Sequence, residues 1–429
     1  MATRTTSGHN ADHISPPIDH TLEEEPLERW NQPQINLLRT SAAFWSLFLT
    51  GLNDGTYGAM IPYLESYYTL SYIRVSLVFL SPAAGYVVSA LLNGVIHERF
   101  GQRGIAFLAP ACHTIAYIII ALHPPFPALV VLYLLVGLGN GLSDAAWNAW
   151  IGAMHDPNQV LGFLHACYGA GATIAPLCAT AMVVKAHKQW YEWYFVLLGC
   201  AVLEFVSCLY AFWRYDGAAY RAAQATTSST TTSSPLLKAL ASKPTARVLW
   251  LTSLFLLGYV GVEVALGGWI VTFMLRTRHS SALASSLTAT GFWLGITLGR
   301  LCLGFVTPRV GEKKSIAIYL PLTLALLLLT LIPSLPLSAL CIAGAGFFLG
   351  PLFPAAIRVC TALLPRRLHV PGIGFAAAFG GAGGAVLPFA IGALAQAKGV
   401  GVLQPVVLVL LAGIWACWLA LPRLDRKLE

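Results

Sequence analysis

Twelve stretches of this chain are apolar for long enough to cross a lipid bilayer, and that feature alone leaves few possible folds. They lie at about 40–64, 75–96, 104–122, 128–152, 159–184, 192–213, 248–275, 280–306, 315–333, 337–363, 370–396 and 403–422. A helix needs about 20 apolar residues to span the hydrocarbon layer. Lipid offers no hydrogen bonds, so each crossing must satisfy its own backbone, as a helix or as part of a closed barrel. The runs are continuously apolar rather than alternating, which excludes the barrel. Charge is scarce to match: 10 % of the 429 residues are charged and 57 % are hydrophobic, whereas soluble domains carry roughly a quarter charged residues. The expected fold is an all-α membrane protein of twelve transmembrane helices. A soluble enzyme, a secreted disulfide scaffold and a disordered chain are all excluded.

The net charge of +8 is the one composition value that suggests nucleic acid. Locating the charges removes the suggestion. With both termini and the even-numbered loops placed in the cytosol, eighteen Lys and Arg fall on that side and six on the other. That asymmetry is the positive-inside pattern. No basic patch exists apart from short loops beside membrane helices, so no nucleic-acid partner is expected. Residues 1–39 read as a disordered cytosolic tail without a cleavable signal sequence. Residues 40–213 and 248–422 read as two six-helix bundles. The segment 214–247 contains the tract Thr226–Ser234, made only of Ser and Thr. Such sequence cannot bury a core, so the segment reads as a cytosolic linker. Residues 423–429 form a short cytosolic tail. The nine cysteines all lie in apolar stretches with no C-x-x-C pair, and they read as small buried hydrophobes. No metal site, cofactor loop or nucleotide-binding motif is present, so neither an intramembrane enzyme nor an ATP-driven pump is expected.

The two halves repeat each other. The loop after span 2 runs Gly94, Glu98, Arg99, Gly101, Arg103, and the loop after span 8 runs Gly304, Pro308, Arg309, Gly311, Lys313, at an offset of 210. Gly169, Gly171 and Pro176 in span 5 match Gly381, Gly383 and Pro388 in span 11 at an offset of 212. Asp54 and Gly58 in span 1 match Glu263 and Gly267 in span 7 at an offset of 209. Parallel six-span repeats around a midplane site are a transporter design.

The ten-residue loop resembles the signature G-x-x-x-[DE]-R-x-G-x-[RK] of the major facilitator superfamily, over residues 40–422. Leu52-Asn53-Asp54 and the run from Asp144 to Asn148 resemble the fucose-permease-like branch, in particular its fungal members. The resemblance implies two pseudo-symmetric six-helix bundles that rock to give alternating access. It implies that spans 1, 4, 7 and 10 line the cavity and that 3, 6, 9 and 12 support them. It further implies secondary transport of a small, sugar-like solute by proton symport, in a plasma membrane, by a protein acting as a monomer. A carrier that exports a fungal metabolite is the alternative, and a non-transporting nutrient receptor a remote one.

Four acids fall inside spans: Asp54, Asp144, Glu204 and Glu263. An ionised carboxylate at a helix centre costs roughly 2.5–3.5 kcal/mol on insertion scales. A carboxyl that moves between an apolar surround and a neighbouring cation can load and release a proton. Asp54, Asp144 and Glu263 are the candidate proton-coupling groups, whereas Glu204, on a support helix, reads as a structural contact. Asn140, Asp144 and Asn148 recur every four residues and project from one helix face, expected to meet the cavity. Candidate solute ligands are these two asparagines with Asn53, Tyr57, Trp147, His165, Tyr168, Tyr259, Trp269 and Arg358. The loop residues Gly94, Glu98, Arg99, Gly101, Arg103, Gly304, Arg309, Gly311 and Lys313, joined by Arg300, are expected to form a cytosolic gate. Spans 5 and 11 also approximate a glycine pattern of proton antiporters, a sign pointing towards export.

Overall fold

The computed structural model describes residues 28–155, 157–218, 220–221, 239–365 and 368–422. Most of the expected N-terminal tail, the Ser/Thr tract and the C-terminal tail lie outside them. Among the described residues, nine helices are long and apolar enough to cross a membrane, with Tyr72–Ala121 counted as one run of 50 residues. At about 1.5 Å per residue that run is more than twice as long as a bilayer core is thick. It breaks once, at Gly101, where φ is 67°. Two crossings result, at 77–100 and 102–121. The two remaining spans are helices as well. Ile35–Tyr68 is diluted by polar residues, and Glu312–Leu329 opens on three charges, Glu312, Lys313 and Lys314.

The twelve helices are therefore α1 (Ile35–Tyr68), α2 (77–100), α3 (102–121), α4 (Phe126–Gly152), α5 (Pro157–Val184), α6 (Trp193–Phe212), α7 (Thr245–Thr277), α8 (Ala282–Val310), α9 (Glu312–Leu329), α10 (Leu335–Leu349, continued as Leu352–Leu363), α11 (His369–Lys398) and α12 (Leu403–Ala420). The first signature motif, expected as a loop, is helical apart from Gly101, and the second is helical up to Gly311, where φ is 95°. These φ values suit glycine and are strained for other residues. The break in α10 at Gly350 and Pro351 has no counterpart in the sequence reading.

The repeat is physical. A Cβ at Gly171 of α5 would lie 2.1 Å from the Phe48 carbonyl oxygen of α1. A Cβ at Gly383 of α11 would lie 1.9 Å from the Leu257 carbonyl oxygen of α7. Phe48 and Leu257 are themselves 209 apart. The matched glycines thus bring matched helix pairs to backbone contact, as small residues do in membrane bundles. This packing role accounts for much of the glycine pattern that pointed to export.

The halves meet near one membrane face, the distal face, which lies opposite the ends of the chain. There the Tyr72 amide donates to Gln396 Oε1 at 2.9 Å, and Thr180 and Ser286 hydroxyls lie 2.6 Å apart. Ser76 packs on Gly392, and Trp269 is wedged beside Tyr72 and Phe79. At the other face, near Glu28, Tyr215 and Pro422, nothing lies within 4 Å of the place a Cβ would take at Gly94 of α2, Gly162 of α5, Gly304 of α8 or Gly374 of α11. The contacts named between the halves thus gather at the distal face.

Candidate functional site

The polar centre lies where α1, α4 and α5 of the first half face α7 and α8 of the second. Asp54 sits half-buried on α1, about four turns before that helix ends at Tyr68. The Tyr168 hydroxyl of α5 donates to its Oδ2 at 2.9 Å, and Asn53 Nδ2 to its Oδ1 at 3.2 Å. Asn53 also donates to the Tyr57 hydroxyl at 2.8 Å and accepts from the Tyr117 hydroxyl at 3.2 Å. On α4, Asn148 Nδ2 donates to Asp144 Oδ1 at 2.8 Å, while Asn148 Oδ1 lies 3.1 Å from His165 Nε2. Both aspartates are thus held by neutral groups, and among the described residues neither has an ion-pair partner.

The second half is built differently. Arg300 Nη2 of α8 donates to Glu263 Oε1 of α7 at 2.9 Å. The side chains are 25 % and 9 % exposed. Arg300 was expected at the cytosolic gate; it lies instead in this central pair, a few turns from Arg309. The fully buried Tyr259 lies beside the same pair, its hydroxyl interacting with both Glu263 and Arg300. α5 packs on α8 where Gly169 meets Thr297, one turn before Arg300, so Tyr168, bonded to Asp54, also lies on the side of the Glu263–Arg300 pair.

Other expected ligands turn away from this centre. Asn140 is buried against α1, where its Oδ1 accepts from Thr50 Oγ1 at 3.2 Å. Trp147 is buried, stacked on Phe212 with ring centroids 4.5 Å apart, and donates to Ser46. Trp269 donates to the Pro388 carbonyl at 2.9 Å at the distal face. Tyr57 packs edge-on against Tyr133 at 5.2 Å. Arg358 is exposed and pairs with Glu312 at 2.9 Å, outside the central group. Of the gate residues, Glu98, Arg99 and Arg309 are exposed at the terminal face. Arg103 lies over the Trp213 ring at 5.5 Å, and Lys313 Nζ donates to the Pro422 carbonyl at 2.7 Å. These contacts tie each motif to its own half.

Glu204, read above as a structural contact, has a partner the sequence reading did not assign. Glu204 of α6 and His113 Nδ1 of α3, both completely buried, are hydrogen-bonded at 2.8 Å, with Ser46 Oγ donating to the other carboxylate oxygen. Trp147 Nε1 donates to Ser46 Oγ at 3.2 Å, so the cluster joins α1, α3, α4 and α6. An in-span acid and an in-span histidine in one half were the available signal, as an acid and an arginine were for Glu263 and Arg300. Among the described residues no group of His, Cys, Asp and Glu could hold a metal ion.

The model of the Major Facilitator Superfamily matches residues 43–286 and 259–429, and the chain belongs to that family. It is a multi-pass membrane protein with the fold of secondary transporters of small solutes, and not an enzyme. Bypass of stop codon protein 6 of Saccharomyces cerevisiae is 31 % identical over 433 residues, covering 94 % of this chain and 86 % of that protein. The arabinose-proton symporter of Bacillus subtilis is 28 % identical over 170 residues, covering 39 % of this chain and 36 % of that protein. Among solved structures, a bacterial homolog of the human lysosomal transporter Spinster, inward-facing and unoccupied, is similar with a TM-score of 0.65 at 15 % identity. That similarity covers 90 % of this chain and 96 % of the other.

Proposed function

We propose that the protein is a proton-coupled carrier of a small hydroxylated solute, working by alternating access in the plasma membrane with its terminal face in the cytosol. The carrying observation is the state of Asp54 and Asp144. Each is a half-buried carboxyl held by neutral donors, so each can take up a proton without first breaking an ion pair. Contacts between the halves that gather at the distal face fit the inward-facing half of such a cycle. Asn148, His165 and Tyr168, beside the two acids, can donate and accept hydrogen bonds as solute hydroxyls require. The partial match to an arabinose-proton symporter supports both the coupling and the solute class.

In proteoliposomes with an imposed pH gradient, accumulation of labelled arabinose, glucose and galacturonate is the measurement. Asp54→Asn and Asp144→Asn should abolish gradient-driven accumulation while leaving exchange of the same solute across the membrane measurable. Unchanged accumulation in both variants would sink the coupling.

A further inference from the structure

We propose that the Glu263–Arg300 pair is a carboxylate-binding site, at which an acid group of the solute takes the place of Glu263, so that the carried solute is a small sugar acid. The inference rests on the transporter reading above and names its substrate class.

A guanidinium presents five N–H donors in a planar fork that matches a carboxylate. Within the protein, Arg300 gives one of these to Glu263 Oε1, and its Nε lies 3.4 Å from the Gly350 carbonyl. With 25 % of its side chain exposed, Arg300 can be reached by a ligand. The Tyr259 hydroxyl is buried beside the pair and interacts with both Glu263 and Arg300. A solute carboxylate that took the place of Glu263 on Arg300 would accept from that hydroxyl as well.

The surroundings suit the rest of a sugar acid. Across the interface, α5 packs on α8 with Gly169 against Thr297, one turn before Arg300, which brings Tyr168 and His165 to the same region, and Asn148 lies beside His165. These groups bind hydroxyls, whereas among the described residues the second half supplies the cation of the centre, Arg300. The titratable groups facing the pair are Tyr259 on α7, Tyr168 and His165 on α5, and Asp54 beyond Tyr168; α10 contributes the Gly350 carbonyl. Proton loading on the acids of this centre removes negative charge that would oppose an anionic solute. Proton and acid would therefore bind together, with the two halves each holding one of them.

A pair that served only to tie α7 to α8 would behave otherwise, and the two partners can be separated. Binding of d-galacturonate and of its neutral counterpart d-galactose is measured on the purified full-length protein in nanodiscs, by tryptophan fluorescence and thermal shift, with no gradient. Galacturonate should bind and galactose should bind far more weakly. Arg300→Gln should weaken galacturonate by at least about thirtyfold. Glu263→Gln should bind it more tightly than the parent protein, because the competing carboxylate is gone. Arg300→Gln leaves Glu263 unpaired and could fail to fold. The double variant Glu263→Gln/Arg300→Gln carries no unpaired charge and should also lose galacturonate. Galactose binding as tightly as galacturonate, no response to galacturonate at millimolar concentration, or galacturonate binding retained by the double variant would each overturn the site. Equal loss in both single variants would return the pair to a structural role. If galacturonate binds as expected while Asp54→Asn and Asp144→Asn keep full gradient-driven accumulation, the coupling fails and the carboxylate site stands.

Discussion

The two halves of this protein share a backbone plan and hold their central acids in opposite ways. Asp54 and Glu263 occupy matching places at an offset of 209. Asp54 is held by tyrosine and asparagine, whereas Glu263 is paired with Arg300. One position makes the difference. At the offset of 210 that relates α2 to α8, the residue matching Arg300 is Ala90. The glycines that bring the helices together are kept in both halves, so the repeat supplies the frame and a single side chain decides whether an acid is free to titrate or tied to a cation. A carrier needs both kinds of site if one half handles protons and the other a charged solute.

The first half also pairs an acid with a base, but it keeps that pair away from the centre. Glu204 and His113 are completely buried among α1, α3, α4 and α6. Removing one partner of a buried hydrogen-bonded pair leaves the other unsatisfied and costs about 1–3 kcal/mol or more, whereas replacing both with apolar groups is often neutral. Glu204→Ala should therefore give the largest loss of stability of any change discussed here. His113→Leu/Glu204→Leu should recover much of it. Thermal unfolding of the purified variants measures both. If Glu204→Ala is as stable as the parent protein, the pair does not brace the first half and the contrast with Glu263–Arg300 loses its basis.

The twelve crossings, the repeat and the two motifs could be read from the sequence because lipid enforces them. A chain that must satisfy its backbone internally shows each crossing as an unbroken apolar run, and each glycine that permits backbone contact leaves a mark in both copies. What could not be read was which neighbour each polar face meets. Asn140, Asp144 and Asn148 share one face of α4, yet Asn140 is buried on Thr50 of α1 while Asp144 and Asn148 stay half-buried beside His165. Trp147 and Trp269 have the size of ring-stacking ligands and instead fill helix contacts. Arg358 found Glu312, and Arg300 left the gate for Glu263. Helical periodicity fixes direction around one axis; packing between helices decides the partner.

The comparison can be broken on purpose at Ala90, which is exposed and so has room for a longer side chain. Ala90→Arg would place in α2 the cation that α8 already carries, one turn from Tyr86, a residue that feels both Asp54 and Asp144. Each proton uptake would then have to break an ion pair. Gradient-driven accumulation should slow by about tenfold or more, with folding unaffected by size-exclusion and thermal criteria. Accumulation at the parent rate would mean that the absence of a cation in the first half is not what lets Asp54 work.

The smallest effect should come from trimming the neutral donors themselves. Tyr168→Phe removes the hydroxyl at 2.9 Å from Asp54 and leaves the ring packing in place. A hydrogen bond to a charged group contributes about 1.5 kcal/mol or somewhat more, which corresponds to roughly a tenfold change in coupled transport. Tyr117→Phe acts one bond further away, through Asn53, and should cost only about threefold, the worth of a neutral hydrogen bond. Measured side by side in the same vesicles, the two variants separate a direct donor from one that only orients another. If Tyr117→Phe costs as much as Tyr168→Phe, the donors around Asp54 act as one connected unit. The first half would then be as tightly constrained as the ion-paired second half.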